Sequence, residues 1–229
     1  AGAVEGGTIE FTLSLSGLSS QSISVDYALV AVTATSGTDF LPGSGVLVFQ
    51  PQQKEIVLQV PLLEDTTDEA EETFRLILSN PAGATLAVTE AMGTIEDDDA
   101  APNVAVSPAS AEENAGVIEF TISLDSVSSL DIDVDYQVQP GTADAADFEA
   151  SSGTVRILAG QIAAKIAVPV TDDAMDEISE SMTLRLTGAT NASIATNEAL
   201  GVILDDDEAP LIRAAASSAS ESAGGITFQ

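Results

Sequence analysis

Residues 63–72, L-E-D-T-T-D-E-A-E-E, place Glu64, Asp65, Asp68, Glu69, Glu71 and Glu72 within nine positions and include no base. Residues 171–180, T-D-D-A-M-D-E-I-S-E, repeat the pattern. Like charges this close repel. At ~4 Å and an effective dielectric of about 20, each pair costs about 4 kcal/mol before relaxation. A fold that gathers such groups needs a cation, solvent, or raised pKa values. Paired carboxylates also serve glycosidases. Here the same constellation occurs twice, His is absent and aromatic residues make up only 4%, so no enzymatic activity is expected.

Composition narrows the chemistry further. The 229 residues carry 37 acidic and 6 basic side chains, a net charge of −31. That balance argues against nucleic acid and anionic membrane as partners. With no Cys and no His, disulfides, thiolate sites, Ser–His or Cys–His nucleophiles and the usual zinc sites are excluded. Apolar residues reach 45%, enough for a packed core. No apolar run approaches the ~20 residues of a membrane-spanning helix, so direct membrane insertion is not expected.

The elements that must position the carboxylates come from a repeat. Thr8-Ile9-Glu10-Phe11-Thr12-Leu13-Ser14-Leu15 matches Val117-Ile118-Glu119-Phe120-Thr121-Ile122-Ser123-Leu124, and Val25-Asp26-Tyr27 matches Val134-Asp135-Tyr136. Asp39-Phe40 against Asp147-Phe148, Val60-Pro61 against Val168-Pro169 and Asp97-Asp98-Asp99 against Asp205-Asp206-Asp207 follow in the same order. Glu221 to Phe228 resembles residues 113–120, the opening of a further copy. The expected division is a unit over residues 1–99 lacking its first strand, a complete unit over 100–208, and the start of a third over 209–229. The abrupt ends predict a segment of a longer protein. Pro102 and Pro210 each follow an acidic triplet by three residues, predicting semi-stiff junctions.

Each unit reads as all-β. Ile9, Phe11, Leu13 and Leu15 alternate with polar residues, as do Ile23, Val25 and Tyr27, then Ile56, Leu58 and Val60, then Phe74, Leu76 and Leu78. Turn signals separate them: Ser16-Gly17, Ser36-Gly37, Pro42-Gly43, Asn80-Pro81. About seven short strands per unit predict tandem antiparallel sandwiches of immunoglobulin type. Asp131-Ile132-Asp133-Val134-Asp135 imitates a D-x-D-x-D calcium loop, but Tyr136 stands where an EF-hand needs Gly. It reads as a strand with its aspartates facing solvent.

Of sixteen acidic residues in the first unit, twelve fall in four places: Glu5, Asp39, the 64–72 loop, and residues 96–99. Alternate loops of a sandwich gather at one end. Hard oxygen donors without His or Cys suit Ca²⁺, which takes six to eight oxygens, better than Mg²⁺, which keeps its waters.

Val25-Asp26-Tyr27, Gly37-Thr38-Asp39-Phe40, Val60-Pro61 with Glu64-Asp65 and Glu69-x-x-Glu72, and the closing Gly-x-Ile-x-Asp-Asp-Asp resemble the Calx-beta family. That family is known from the regulatory domains of sodium/calcium exchangers, from a beta integrin subunit and from bacterial surface proteins. The resemblance implies Ca²⁺ ligands from Glu5, Asp39, Glu64, Asp65, Glu69, Glu72, Asp97, Asp98 and Asp99 in the first unit. In the second it implies Glu113, Asp147, Asp172, Asp173, Glu177, Glu180, Asp205, Asp206 and Asp207. Glu64 stands where the second unit has Asp172, and Glu112 competes with Glu113 for the early position.

The function expected is a calcium-binding adhesive or structural module of an extracellular or cell-surface array, its junctions stiffened by Ca²⁺ between neighbouring repeats. The alternative is a calcium-sensing regulatory pair attached to a membrane protein. An open sheet edge in the first unit predicts strand exchange between molecules through residues 211–216.

Overall fold

The computed structural model describes residues 1–214. Ala215, Ala216 and the match at 221–228 lie outside the described residues. Seven strands form the first unit: β1 (Gly2–Val4), β2 (Thr8–Ser14), β3 (Ile23–Ala31), β4 (Ser44–Phe49), β5 (Glu55–Pro61), β6 (Glu72–Ala82) and β7 (Glu90–Glu96). They make a five-stranded sheet in the order β1-β7-β6-β3-β4 and a two-stranded sheet β2-β5. Period-two alternation explains the pairing: Ile9 and Phe11 of β2, Val60 of β5, Phe74 and Leu76 of β6 and Ile95 of β7 all turn into one core.

Nine strands form the second unit: β8 (Asn103–Val106), β9 (Ala109–Glu112), β10 (Val117–Leu124), β11 (Ile132–Pro140), β12 (Ser152–Ile157), β13 (Ala163–Pro169), β14 (Glu180–Ala189), β15 (Ser193–Thr196) and β16 (Glu198–Leu204). Its sheets run β12-β11-β14-β16-β9 and β13-β10-β8-β15. Here β8 adds Val104 and Val106 to the core, between β10 and β15. Among the described residues, the first unit has no counterpart of β8 or β15. Leu13 is therefore only half-buried where its counterpart Ile122 is fully buried.

Most pairs are antiparallel, as expected. Three are parallel: β1 with β7, β9 with β16, and β8 with β15. The entering strand lies beside the last one and runs the same way, which carries Glu5 and Glu113 to the pole where the last strands exit. Asp131, Asp133 and Asp135 lie on or beside β11, with Ile132 and Val134 buried between them. Asp133 pairs with Arg156 at 2.6 Å and Asp135 accepts from Thr154 at 2.6 Å. The strand reading of this segment therefore holds.

A loop of the first unit hydrogen-bonds to a turn of the second. Asp68 is buried and its carboxylate accepts a hydrogen bond of 2.5 Å from the Ser128 hydroxyl. The Ser129 N–H donates to the Asp68 carbonyl at 2.9 Å.

Gly93 sits under Phe74 of the neighbouring strand and Phe11 of the facing sheet, and Gly201 under Phe120 of the facing sheet. A Cβ at 201 would lie 2.6 Å from Phe120 Cζ and 2.9 Å from Met182 Cγ. Overpacking of this kind costs about 1–3 kcal/mol. Gly201→Ala is therefore expected to lower the unfolding free energy of the second unit by that amount, as read from urea denaturation. Wild-type stability in this variant contradicts the packing.

Candidate metal centre

Four chain segments bring carboxylates to one pole of each unit. Glu5 follows β1 and its N–H donates to the Glu96 carbonyl at 3.1 Å. Asp39 sits between β3 and β4. Its neighbour Phe40 is fully buried and stacks on Phe74 with ring centroids 4.4 Å apart, which pins the loop. The loop turns back at Gly37, whose φ of +90° suits glycine. Asp39 also accepts from the Thr35 N–H, and its carbonyl accepts from Leu63 at 2.9 Å. That bond ties the 64–72 loop to the Asp39 loop. Glu72 opens β6, and residues 97–99 leave β7.

The first unit gathers two groups whose carboxylate oxygens lie within 4.8 Å of one another: Glu5, Asp97 and Asp99, and Asp39, Glu69 and Glu72. In the second unit the groups are Asp147, Glu177 and Glu180, and Glu113 with Asp173 and Asp207 or with Asp172 and Asp206. Glu113 is buried and Glu112 exposed, so Glu113 holds the early position. Asp205 joins no such group, but its carboxylate accepts from the Glu177 N–H at 3.2 Å.

Glu64, Asp65 and Asp98 join no group of three. Asp98 is exposed. Asp65 accepts from the Thr67 N–H at 2.7 Å, as Asp173 does from Met175. The Glu64 carboxylate lies over Gly6, which has φ +63°.

Two further residues take part that the sequence reading did not single out. Asn114 donates its side-chain amide to Asp206. Asp144 accepts from the Ala146 N–H at 2.7 Å and adds its charge beside Glu177 and Glu180. Asp144 stands three residues before Asp147, a spacing visible in the sequence. Asn114 had no acidic signal to mark it.

The electrostatics are those of unbalanced charge. Burial, then the charges of Asp65 and Asp97, push Glu5 up to about 7. Burial, then a hydrogen bond shared with Asp39, push Glu72 up to about 8. Glu180 is raised to about 7, first by a hydrogen bond with Asp147, then by burial. Glu69, Asp97, Glu113, Glu177 and Asp207 are all raised, with burial the largest cause in each.

Glu72 Oε2, Asp97 Oδ1, Asp99 Oδ2, Glu113 Oε1 and Asp207 Oδ2 are buried without a hydrogen-bond partner. A buried acceptor left unpaired costs about 1–3 kcal/mol, more when charged. Orphaned oxygens aimed together are what a hard divalent cation needs. The donor set fits such an ion in both units.

The Calx-beta domain model matches residues 4–99 and 96–207. A 65-residue stretch is 43% identical to the adhesion G-protein coupled receptor V1 of Danio rerio, covering 28% of this chain and 1% of the receptor. A stretch of 135 residues is 33% identical to the sodium/calcium exchanger Calx of Drosophila melanogaster, covering 57% of this chain and 14% of the exchanger. The chain thus spans a small part of the length of both relatives. Among solved structures, CBD12 from CALX1.2 aligns with 87% of this chain and 95% of its own, at 21% identity and a TM-score of 0.42. The calcium binding domain CBD12 of CALX1.1 aligns with 82% of this chain and 76% of its own, at 26% identity and a TM-score of 0.43.

The raised carboxylates set a pH dependence in EDTA. Their unfolded value is 4.5, whereas Glu5 and Glu180 titrate at about 7 and Glu72 at about 8 in the folded chain. The folded state therefore holds more protons between these limits, and stability falls as pH rises through them. The metal-free Tm is expected to be higher near about pH 6 than near about pH 8.5. A metal-free Tm that climbs across this interval contradicts the clusters.

Proposed function

Because the chain belongs to the Calx-beta family, we propose that it is a calcium-binding structural module of an extracellular array, its junctions stiffened when Ca²⁺ fills the carboxylate pole of each unit. It is a binding module and not an enzyme. The observation that carries this reading is the set of buried, unpartnered oxygens on Glu72, Asp97, Asp99, Glu113 and Asp207. Two separated groups in each unit provide for at least two ions per unit. Asp97 and Asp99 stand immediately before the linker to the second unit, so an ion held there fixes the exit direction of β7.

The setting has two readings. The match to an adhesion receptor supports an extracellular adhesive array. The match to the exchanger Calx supports a calcium-sensing regulatory pair attached to a membrane protein. Affinity separates them: sensors bind at roughly 10⁻⁷–10⁻⁵ M, extracellular modules at roughly 10⁻⁴–10⁻³ M. The array reading predicts the weaker range.

Strand exchange is a further proposal for the array reading. Leu211 and Ile212 are exposed and belong to no strand, while β2 pairs with β5 alone. Ile212→Asp is expected to abolish any dimer that forms through this segment, measured by sedimentation. A dimer unaffected by the substitution contradicts it.

Calcium titration with calorimetry and small-angle scattering tests the whole. Ligand at 100 times its Kd adds about 2.7 kcal/mol per site. For a chain of this size each kcal/mol raises Tm by about 2–4 °C. A rise of at least about 5 °C, with narrowed particle dimensions, is expected. An unchanged Tm and scattering curve between Ca²⁺ and EDTA overturns the reading. Glu72→Gln is expected to remove ions from the first unit alone, and Glu180→Gln from the second alone, as read from the stoichiometry.

A further inference from the structure

The contact between the units is built from parts that both units carry. The acceptor in the second unit is the turn Val127-Ser128-Ser129. Its Ser128 hydroxyl accepts from the Leu130 N–H at 3.1 Å, and its carbonyl accepts from the Gly160 N–H at 2.9 Å. The first unit has Leu18-Ser19-Ser20 at the same place. Ser19 accepts from the Gln21 N–H at 3.0 Å, and its carbonyl accepts from the Gln52 N–H at 2.8 Å. Gln52 and Gly160 even share a left-handed backbone, φ +69° and +76°. The two turns are the same structure.

They differ in occupancy. Ser128 is 1% exposed and its hydroxyl donates a hydrogen bond to the Asp68 carboxylate. Ser19 is half-buried and its hydroxyl donates a hydrogen bond to the Gln21 carbonyl at 2.9 Å, a local bond easily exchanged. The donor is likewise duplicated. Asp68 begins D-E-A-E-E and Asp176 begins D-E-I-S-E, with Asp176 exposed.

Apolar side chains flank both free parts. Leu18 beside the open turn is 70% exposed, against 42% for its counterpart Val127 at the occupied one. Met175 and Ile178 on either side of Asp176 are 59% and 81% exposed.

We propose that the Ser19–Ser20 turn is a docking site for the Asp176 loop of a second copy of this chain, so that copies associate head to tail by repeating the Asp68–Ser128 contact. The Asp176 carboxylate accepts a hydrogen bond from the Ser19 hydroxyl, its carbonyl accepts from the Ser20 N–H, and Met175 covers Leu18. Because the two surfaces are different, the association is head to tail, and each added copy presents a fresh site unless the rotation closes a ring. In a tandem array the same contact is made in cis, where the linker supplies an effective concentration in the millimolar range. The docking residue lies within the metal loop but outside its carboxylate groups. Docking and ion binding are therefore separate events on one loop.

The absence of native Cys makes disulfide trapping clean. The variant Leu18→Cys with Met175→Cys, which keeps Ser19 and Asp176, is expected to form a ladder of covalent multimers under a mild thiol redox buffer. The rate should be roughly tenfold above that of Gln59→Cys with Met175→Cys, which lies off the docking axis. Both variants carry Ile212→Asp to remove any strand exchange. Asp68→Cys with Ser128→Cys should close within one molecule, since these residues are bridge partners. No excess over the off-axis pair overturns the proposal, and failure of the internal disulfide overturns the contact it is copied from. Running Ca²⁺ and EDTA in parallel separates it from the calcium reading. A ladder in both buffers supports docking whatever the ions do, whereas no ladder in either counts against docking alone.

Discussion

Mutual repulsion among carboxylates at one pole is the constraint on which the rest depends. Each unit commits buried or half-buried acids to that pole and supplies no base to neutralise them. The five ion pairs of the described residues lie elsewhere, on exposed strand faces such as Lys165 with Glu119 and Arg75 with Glu90. Exposed pairs of this kind contribute little, about 0–1 kcal/mol. The scarce positive charge is thus spread over the strands, while the pole is left to protons or to an external cation. Raised pKa values are the response in the absence of such a cation.

The sandwich holds this unfavourable arrangement with apolar anchors placed next to each acid. Phe40 and Phe148 are buried beside Asp39 and Asp147. Ile95 and Ile203 are buried two positions before Asp97 and Asp205. Burying a side chain of this size contributes about 1.5–3 kcal/mol. That is of the same order as one carboxylate pair, so the core can tolerate the pole but does not silence it. The parallel pairing of β1 with β7 and of β9 with β16 completes the geometry, because it delivers Glu5 and Glu113 beside the exits of the last strands.

Much of this was legible in the sequence because two periodicities coincide. Alternation of apolar residues over Thr8–Ser14 and Val117–Leu124 gave the strands and their buried faces. The repeat placed Asp39 against Asp147 and the two acidic triplets against each other. The same alternation identified the aspartates around β11 as a strand face. What stayed hidden depends on contacts distant in the chain. Glu112 and Glu113 are chemically alike, and only the 3-10 turn over Glu113–Ala115 decides which is buried. Asp68 looks like any other member of its loop until Ser128, sixty residues on, is brought beside it. Leu13 alternates as Ile122 does, yet without a neighbour like β8 it remains half-covered.

The most direct test of the central claim is anomalous diffraction from crystals grown in millimolar Ca²⁺. Bound metal is expected at both groups of each unit, one between Asp39, Glu69 and Glu72, another between Glu5, Asp97 and Asp99, with counterparts around Glu180 and Glu113. Carboxylates turned apart into water, with no anomalous density at either pole, would contradict it.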